Sequence, residues 1–321
     1  MKNLKKIFVF VACVCFVHCS ICQSGSGKLL AFSDTLNKKR VYTLAGTWTG
    51  IYAGALYGLN TLWYKNYPRS SFHFFNDTGE WNQMDKCGHM FTSYFEGVYS
   101  VNALKWAGVS DKKAAWFGGL TGTVMQTSIE ILDGFSSQWG ASVGDLTANT
   151  LGSALCISQQ LLWNEQRVQL KFSTHPVNYP NDPVLKKRVA DLYGKNFSQL
   201  WLKDYNGQTY WLSTNISSFT NNEESKFPKW LNIAVGYGAD GMYGGYTNTW
   251  TSPTDSLVMI NRTDIPRTRQ FFLAPDIDFT KIKTNSHLLK TIFFMANALK
   301  FPAPALEINN QGQLNLHAIC F

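Results

Sequence analysis

Residues 85–152 read DKCGHMFTSYFEGVYSVNALKWAGVSDKKAAWFGGLTGTVMQTSIEILDGFSSQWGASVGDLTANTLG. Within this mostly apolar run, polar groups recur at helical intervals: Asp85-Lys86-x-x-His89, then Glu130-x-x-Asp133-x-Phe135-Ser136, then Asp145-x-x-x-Asn149-x-x-Gly152. Residues three or four apart share a helix face. Charged and polar groups are costly in apolar surroundings unless they are paired or put to use. Their recurrence on three expected helices therefore points to one shared site.

Helix signals extend outward from this stretch. Asp77-x-x-Glu80 resembles a capping box and opens a helix running to about Trp106. The next helix follows Ser110-Asp111 and ends at Gly134; another starts near Ser142 and runs to about Trp163. Gly134 to Gly144 is a glycine- and serine-rich loop between them. Upstream, Val41 to Tyr64 holds no charged residue and carries Gly46, Gly50, Gly54 and Gly58 in register. That segment is long enough to span a bilayer, and it also fits a fully buried soluble helix, since both use a glycine stripe for close packing. Four helices with short connections imply an N-terminal apolar four-helix bundle over residues 41–165.

The N-terminus has export character. Lys2, Lys5 and Lys6 precede an apolar run from Ile7 to Val17, and Ser20-Ile21-Cys22 places small residues before Gln23. Residues 1–22 read as a secretory signal peptide and residues 23–40 as a polar lead-in. No cysteine follows a Leu-Ala-Gly-like triplet; Phe16-Val17-His18 precedes Cys19. Of seven cysteines, Cys87, Cys156 and Cys320 lie beyond the signal, too few for a disulfide framework, so Cys87 and Cys156 read as buried free thiols. The formal charge of +8 falls to +5 without the three signal lysines (8 − 3 = 5). Export argues against a nucleic-acid partner, and scattered basic residues suit an anionic membrane surface or a solvated face.

After residue 165 the chain becomes polar, aromatic and richer in alternation, giving a mixed α/β region over residues 166–321 with short antiparallel strands. Strands are expected at Arg167–Ser173, Gln208–Ile216 and Arg269–Phe279, and a hairpin around Asn309-Asn310-Gln311-Gly312. Helix is expected with interruptions over Asp182–Leu202, and over Lys226–Tyr243 and His287–Lys300. The fold class is thus α+β, mainly α. Gly236-x-Gly238-x-x-Gly241 has a dinucleotide-loop spacing but lacks the strand–turn–helix setting, which argues against a nucleotide. The terminal Phe321 resembles a barrel ending, but too few long alternating strands precede it.

Asp85, His89, Glu130 and Asp145 are the candidate catalytic residues, with Lys86, Asp133, Ser136 and Asn149 as candidate binding residues. A carboxylate four residues before a histidine can orient the imidazole for proton transfer or join it on a divalent metal. Each group also has a local reading. Asp85 with Lys86 could be a buried ion pair, His89 a satisfied core histidine, Asp145 part of the cap begun by Ser142, and Asp133 a solvent-facing helix end.

These motifs carry a resemblance. Asp85-Lys86-x-x-His89, Glu130-x-x-Asp133-Gly134-Phe135-Ser136 and Asp145-x-x-Ala148-Asn149-x-x-Gly152 resemble the YfiM-like family of predicted periplasmic lipoproteins over residues 81–155, about a quarter of the chain. The same order of motifs is more distantly similar to VanZ-like membrane proteins. Pro228-Lys229-Trp230-Leu231-Asn232 with Gly236-Tyr237-Gly238 resembles longer exported members. The resemblance implies an envelope location in a Gram-negative bacterium, periplasm or outer membrane, with membrane lipids or envelope proteins as partners; it supplies no reaction. Two hypotheses follow: a non-enzymatic envelope protein whose polar cluster fixes helix register, and a hydrolase or transferase, with a divalent metal or acid–base groups, acting on an envelope lipid or cell-wall precursor.

Overall fold

The computed structural model describes residues 30–62, 64, 67–220, 228–252, 255 and 257–320. The proposed signal peptide, part of the lead-in and the terminal Phe321 lie outside these residues. The fold is α+β, with helices first and an antiparallel sheet after them. In chain order the helices are α1 (Lys38–Leu62), α2 (Met84–Trp106), α3 (Asp111–Gly119), α4 (Thr121–Asp133), α5 (Val143–Trp163), α6 (Pro183–Leu192), α7 (Phe197–Lys203) and α8 (His287–Ala296). The strands are β1 (Val168–Thr174), β2 (Gln208–Asn215), β3 (Leu231–Asp240), β4 (Thr249–Thr251), β5 (Met259–Asn261), β6 (Thr268–Ile277), β7 (Ala303–Asn309) and β8 (Leu314–Cys320). Six of them form one sheet in the order β1-β2-β3-β6-β7-β8, and β4 pairs with β5.

The helical layer departs from the expected four-helix bundle. Helix α1 lies at its edge, tied on by Tyr52 donating to the Met125 carbonyl at 3.1 Å and Arg40 to that of Trp106 at 2.8 Å: none of residues 38–61 is buried, and a side chain at Gly46 or Gly50 would meet nothing within 4 Å. Neither expectation for this segment holds. It is not a fully buried helix, and no described helix is long and apolar enough to cross a membrane. The expected helix from Asp111 to Gly134 is divided at Leu120 into α3 and α4. Helices α2 and α5 form the centre and α3 and α4 lie across them. Two glycines set the spacing. A Cβ on Gly122 would sit 2.0 Å from the Ser93 carbonyl oxygen, and one on Gly152 would sit 2.2 Å from that of Met90. Both backbones can press on α2 only because these side chains are missing. Tyr94, Phe95, Val101, Ala114 and Cys156 fill the space beneath.

The start of α2 also differs. Asp77 and Glu80 form no capping box; Trp81, Asn82 and Gln83 adopt left-handed φ values of 49°, 51° and 65°, and the helix begins at Met84. Such residues typically cost about 1–3 kcal/mol each and persist where surrounding contacts hold them. Here Trp81 N donates to Gly245 O at 2.8 Å, Tyr237 donates to the Asn82 carbonyl, and Arg269 donates to Gln83. The sheet region thereby fixes where the first turn of α2 points.

Lys226–Tyr243 is not a helix. Its described part contains β3, in which Asn232, Ala234, Gly236 and Gly238 are buried and alternate with outward Ile233, Val235 and Tyr237. Gly236 passes beneath the Trp211 indole, where a Cβ would lie 2.7 Å from the ring. The remaining expected strands and the hairpin form with ends within a few residues of those read from the sequence. Gly312, at φ +77°, makes the tight turn between β7 and β8.

Candidate functional site

The first turn of α2, the end of α4 and the first turns of α5 meet at one point, and each brings a polar side chain to it. His89 Nε2 lies 3.8 Å from Asp85 Oδ1, 3.8 Å from Glu130 Oε1 and 3.8 Å from Asp145 Oδ1. On the other side of the ring, His89 Nδ1 is 3.2 Å from Asn149 Oδ1. Lys86 Nζ holds Asp77 Oδ2 at 2.7 Å, Asp145 Oδ1 at 2.8 Å and Asp85 Oδ2 at 3.1 Å. Six candidates named from sequence spacing, Asp85, Lys86, His89, Glu130, Asp145 and Asn149, are thus brought together.

The other two are placed differently. Asp133 accepts hydrogen bonds from the Tyr64 hydroxyl at 2.7 Å and from the Trp139 indole, tying the end of α4 to the segment after α1 and to the loop that follows α4 rather than facing solvent. Buried Ser136 accepts from the Gln138 N–H at 3.3 Å in the local turn. Neither has a hydrogen bond to the His89 cluster among the described contacts.

The local frame explains the convergence. Ser142 caps α5 by accepting from the Asp145 N–H at 3.1 Å, and its own N–H donates to Glu130 Oε2 at 2.9 Å. Asp145 therefore takes part in the cap through its backbone while its carboxyl joins the cluster. Ser93 and Thr123 both donate to the Asn149 carbonyl, at 2.6 and 3.1 Å, and lock α2 and α4 against α5. Spacing did not identify Asp77 and Tyr205. Its spacing to Glu80 marks Asp77 as a helix cap, but it accepts from Ser142 Oγ and pairs with Lys86. Tyr205 lies in a turn before β2, and its hydroxyl donates to Asp85 Oδ1 at 2.9 Å. Its proximity to Asp85 depends on long-range folding that no local signal in the sequence records.

Electrostatics separate the carboxyls. Burial pushes Asp85 up, but His89, Lys86 and the Tyr205 hydroxyl outweigh it and hold this carboxyl below the ordinary range. Burial raises Glu130 to about 7. Burial and the charge on Asp85 raise Asp145 to about 7 as well. Burial disfavours the His89 imidazolium, yet Asp85, Asp145 and Glu130 together favour it and raise its pKa. Near neutral pH the cluster thus holds an ionised Asp85 beside two carboxyls poised to exchange protons, a division of roles suited to acid–base chemistry.

A cleft of about 280 Å³ opens onto this centre, with Asp85 and His89 on its wall and Phe91, Phe172, Trp201 and Tyr210 providing an aromatic lining. Glu130 and Asp145, at 2 % and 3 % exposure, lie behind His89.

Comparison with known families bears on this segment. Residues 73–160 match the family model described as predicted periplasmic lipoprotein (DUF2279). The match covers a little over a quarter of the chain and includes every residue of the His89 cluster except Tyr205. The description agrees with export to the periplasm and assigns no reaction. No curated protein and no solved structure matches the chain.

Proposed function

We propose that this chain is an exported, membrane-associated protein of the cell envelope whose His89 cluster is an acid–base centre for hydrolysis or group transfer on an envelope lipid or cell-wall precursor. One observation carries the reading: His89 and Asp85 reach an aromatic-lined cleft while Glu130 and Asp145 back them from the interior. His89 is the proton-transfer group, Asp85 sets its charge, and Glu130 and Asp145 supply or accept the second proton. The test compares His89→Ala and Glu130→Ala in the full chain, reading thermal stability and a cell-envelope phenotype. Phenotype lost at unchanged stability is expected. Stability lost in step with phenotype would remove the enzymatic reading.

The second reading is a register lock, favoured by Lys86, whose ammonium joins Asp77, Asp85 and Asp145 across the loop, α2 and α5. Under it the cluster aligns helices and the cleft is incidental.

Membrane association is supported by the outward face of the sheet. Neighbouring strands align Leu212, Val235, Leu273, Leu306 and Leu316 in one row and Tyr237, Phe271, Ile308 and Leu314 in the next. The five residues of the first row are 42–80 % exposed and uncharged. A continuous apolar surface of this kind marks a contact with lipid or another protein. Flotation of the full chain with anionic lipid vesicles is expected and should be abolished by Val235→Asp together with Leu273→Asp. Equal flotation of that variant would contradict the assignment of this face.

A further inference from the structure

We propose that Asp85, His89 and Asp145, completed by Glu130, bind one divalent transition-metal ion, zinc or manganese. The proposal deepens the reading above by naming what the centre holds; it rests on that reading for the site's purpose, not for the ion's binding. The first argument is distance. A histidine N–H bonded to a carboxylate lies about 2.7–3.2 Å away, and the His317–Glu307 pair elsewhere in this chain closes to 2.5 Å. His89 Nε2 instead stands 3.8 Å from each of three carboxylate oxygens, too far for a hydrogen bond to any of them. Four ligands bound tetrahedrally at about 2.0–2.2 Å lie roughly 3.3–3.6 Å apart. The three His89–carboxylate distances are within a few tenths of an ångström of that spacing, and the carboxylates would close on an ion by side-chain rotation. The ligand atoms of Asp85, His89 and Asp145 all lie within 4.8 Å of one another.

The second argument is an unmet need. Asp145 is 3 % exposed, and its Oδ1, which points at His89 Nε2, receives no aligned hydrogen bond although the Lys86 ammonium is 2.8 Å away. Histidine ligands commonly donate their second ring N–H to an oxygen that fixes the tautomer. Asn149 Oδ1, 3.2 Å from Nδ1, is placed to accept it, which turns the Nε2 lone pair toward the three carboxylates. Without an ion, a proton on Nε2 meets the negative charge of these carboxylates, and a divalent cation bound there would take the proton's place.

Charge count gives the third argument. Asp77, Asp85, Glu130 and Asp145 surround a single lysine, so with every carboxyl ionised and His89 neutral, the state that would bind an ion, the excess is three negative charges. A divalent ion reduces that excess to one. Lys86 contacts Asp85 through Oδ2, leaving toward His89 the Oδ1 that accepts from Tyr205, and it shares Asp145 Oδ1, which an ion would take over. Asp85 and His89 line the cleft, so an ion has a route from solvent and a face toward substrate. An imidazole among carboxylates suits zinc or manganese, whereas calcium prefers oxygen ligands throughout.

Isothermal titration of the chelator-stripped full chain with zinc chloride, manganese chloride and calcium chloride tests this. One equivalent of zinc or manganese should bind, at least tenfold tighter than calcium. His89→Gln and Asp145→Asn should each weaken binding at least tenfold, while His317→Gln, which alters the other histidine–carboxylate pair, should leave it unchanged. Circular dichroism confirms the fold of each variant, and if Asp145→Asn fails to fold, His89→Gln decides. Absence of stoichiometric binding, or equal binding by His89→Gln, overturns the ion site. Stoichiometric binding lost in His89→Gln upholds it even where His89→Ala shows no envelope phenotype, a combination that removes only the enzymatic reading.

Discussion

Two of the buried polar clusters among the described residues differ in how fully they are satisfied. Beneath the sheet, Lys171 pairs with Asp276 at 2.8 Å, both side chains fully buried. Lys171 also donates to the Ile277 carbonyl at 2.6 Å and to Asn297 at 3.2 Å, and Ser213 donates to Asp276 Oδ2 at 2.7 Å. No side-chain atom of that cluster is without a hydrogen-bond partner among the described residues. Between the helices, Asn149 Nδ2 lacks a partner, Asp145 Oδ1 has the Lys86 ammonium at 2.8 Å but no aligned hydrogen bond, and three His89–carboxylate distances stop at 3.8 Å. Buried groups are nearly always satisfied, so an exception requires an explanation. The cluster under the sheet is complete as a structural device. The cluster at the cleft is incomplete as protein alone, and we read it as built for something it acts on or holds.

The largest effect that could break this contrast is at the sheet. Asp276→Ala would leave Lys171 buried without its anion and should lower stability by about 3–5 kcal/mol, measured by urea unfolding at neutral pH. A smaller loss would show that the sheet cluster is not a structural element.

Next comes Glu96, on α2 beyond the cleft. Burial raises this carboxyl from 4.5 to about 7 although Gln126 donates to it, and its Oε2 has no partner. The folded state therefore holds its proton more tightly than the unfolded chain. Stability should fall as pH rises from about 4.5 through about 7, by roughly 3 kcal/mol at most. Glu96→Gln should flatten that slope and make the protein more stable than wild type at pH 8, as read by thermal unfolding across pH. An unchanged slope would mean that Glu96 is not ionising in the interior.

The smallest effect sharpens the comparison. Asp145→Asn in metal-free protein removes one of three carboxylates on Lys86, which keeps Asp77 and Asp85. Stability should change by no more than about 1 kcal/mol, below the usual cost of breaking a buried pair. A loss near that of Asp276→Ala would place both clusters in the same structural class.

Much of the helical cluster was legible in the sequence because its members sit at helical spacings on their own elements. Asp85 and His89 share one turn of α2, and Asp145 and Asn149 share one turn of α5. The capping serine and the small residue at Gly152 were likewise local signals. Asp77 and Tyr205 were not legible, because their roles depend on partners 9 and 120 residues away in the chain, Lys86 and Asp85.

The sheet hid its pattern for a different reason. Strand β3 buries Asn232, Ala234 and Gly236 and exposes Ile233 and Val235, so hydrophobicity marks the outer face. A reading that assigns apolar residues to the core finds a helix face there instead. The stretch of α1 from Val41 onward misleads through its lack of charge, which suggests a bilayer span or burial, although the segment lies exposed at the edge of the helical layer.

The most direct test of the central claim is a paired urea unfolding of metal-free His89→Gln and Asp276→Asn against wild type. The account predicts that His89→Gln stays within about 1 kcal/mol of wild type while Asp276→Asn loses about 3 kcal/mol or more. Equal losses from the two variants would contradict it, because the cluster at the cleft would then be as structural as the one beneath the sheet.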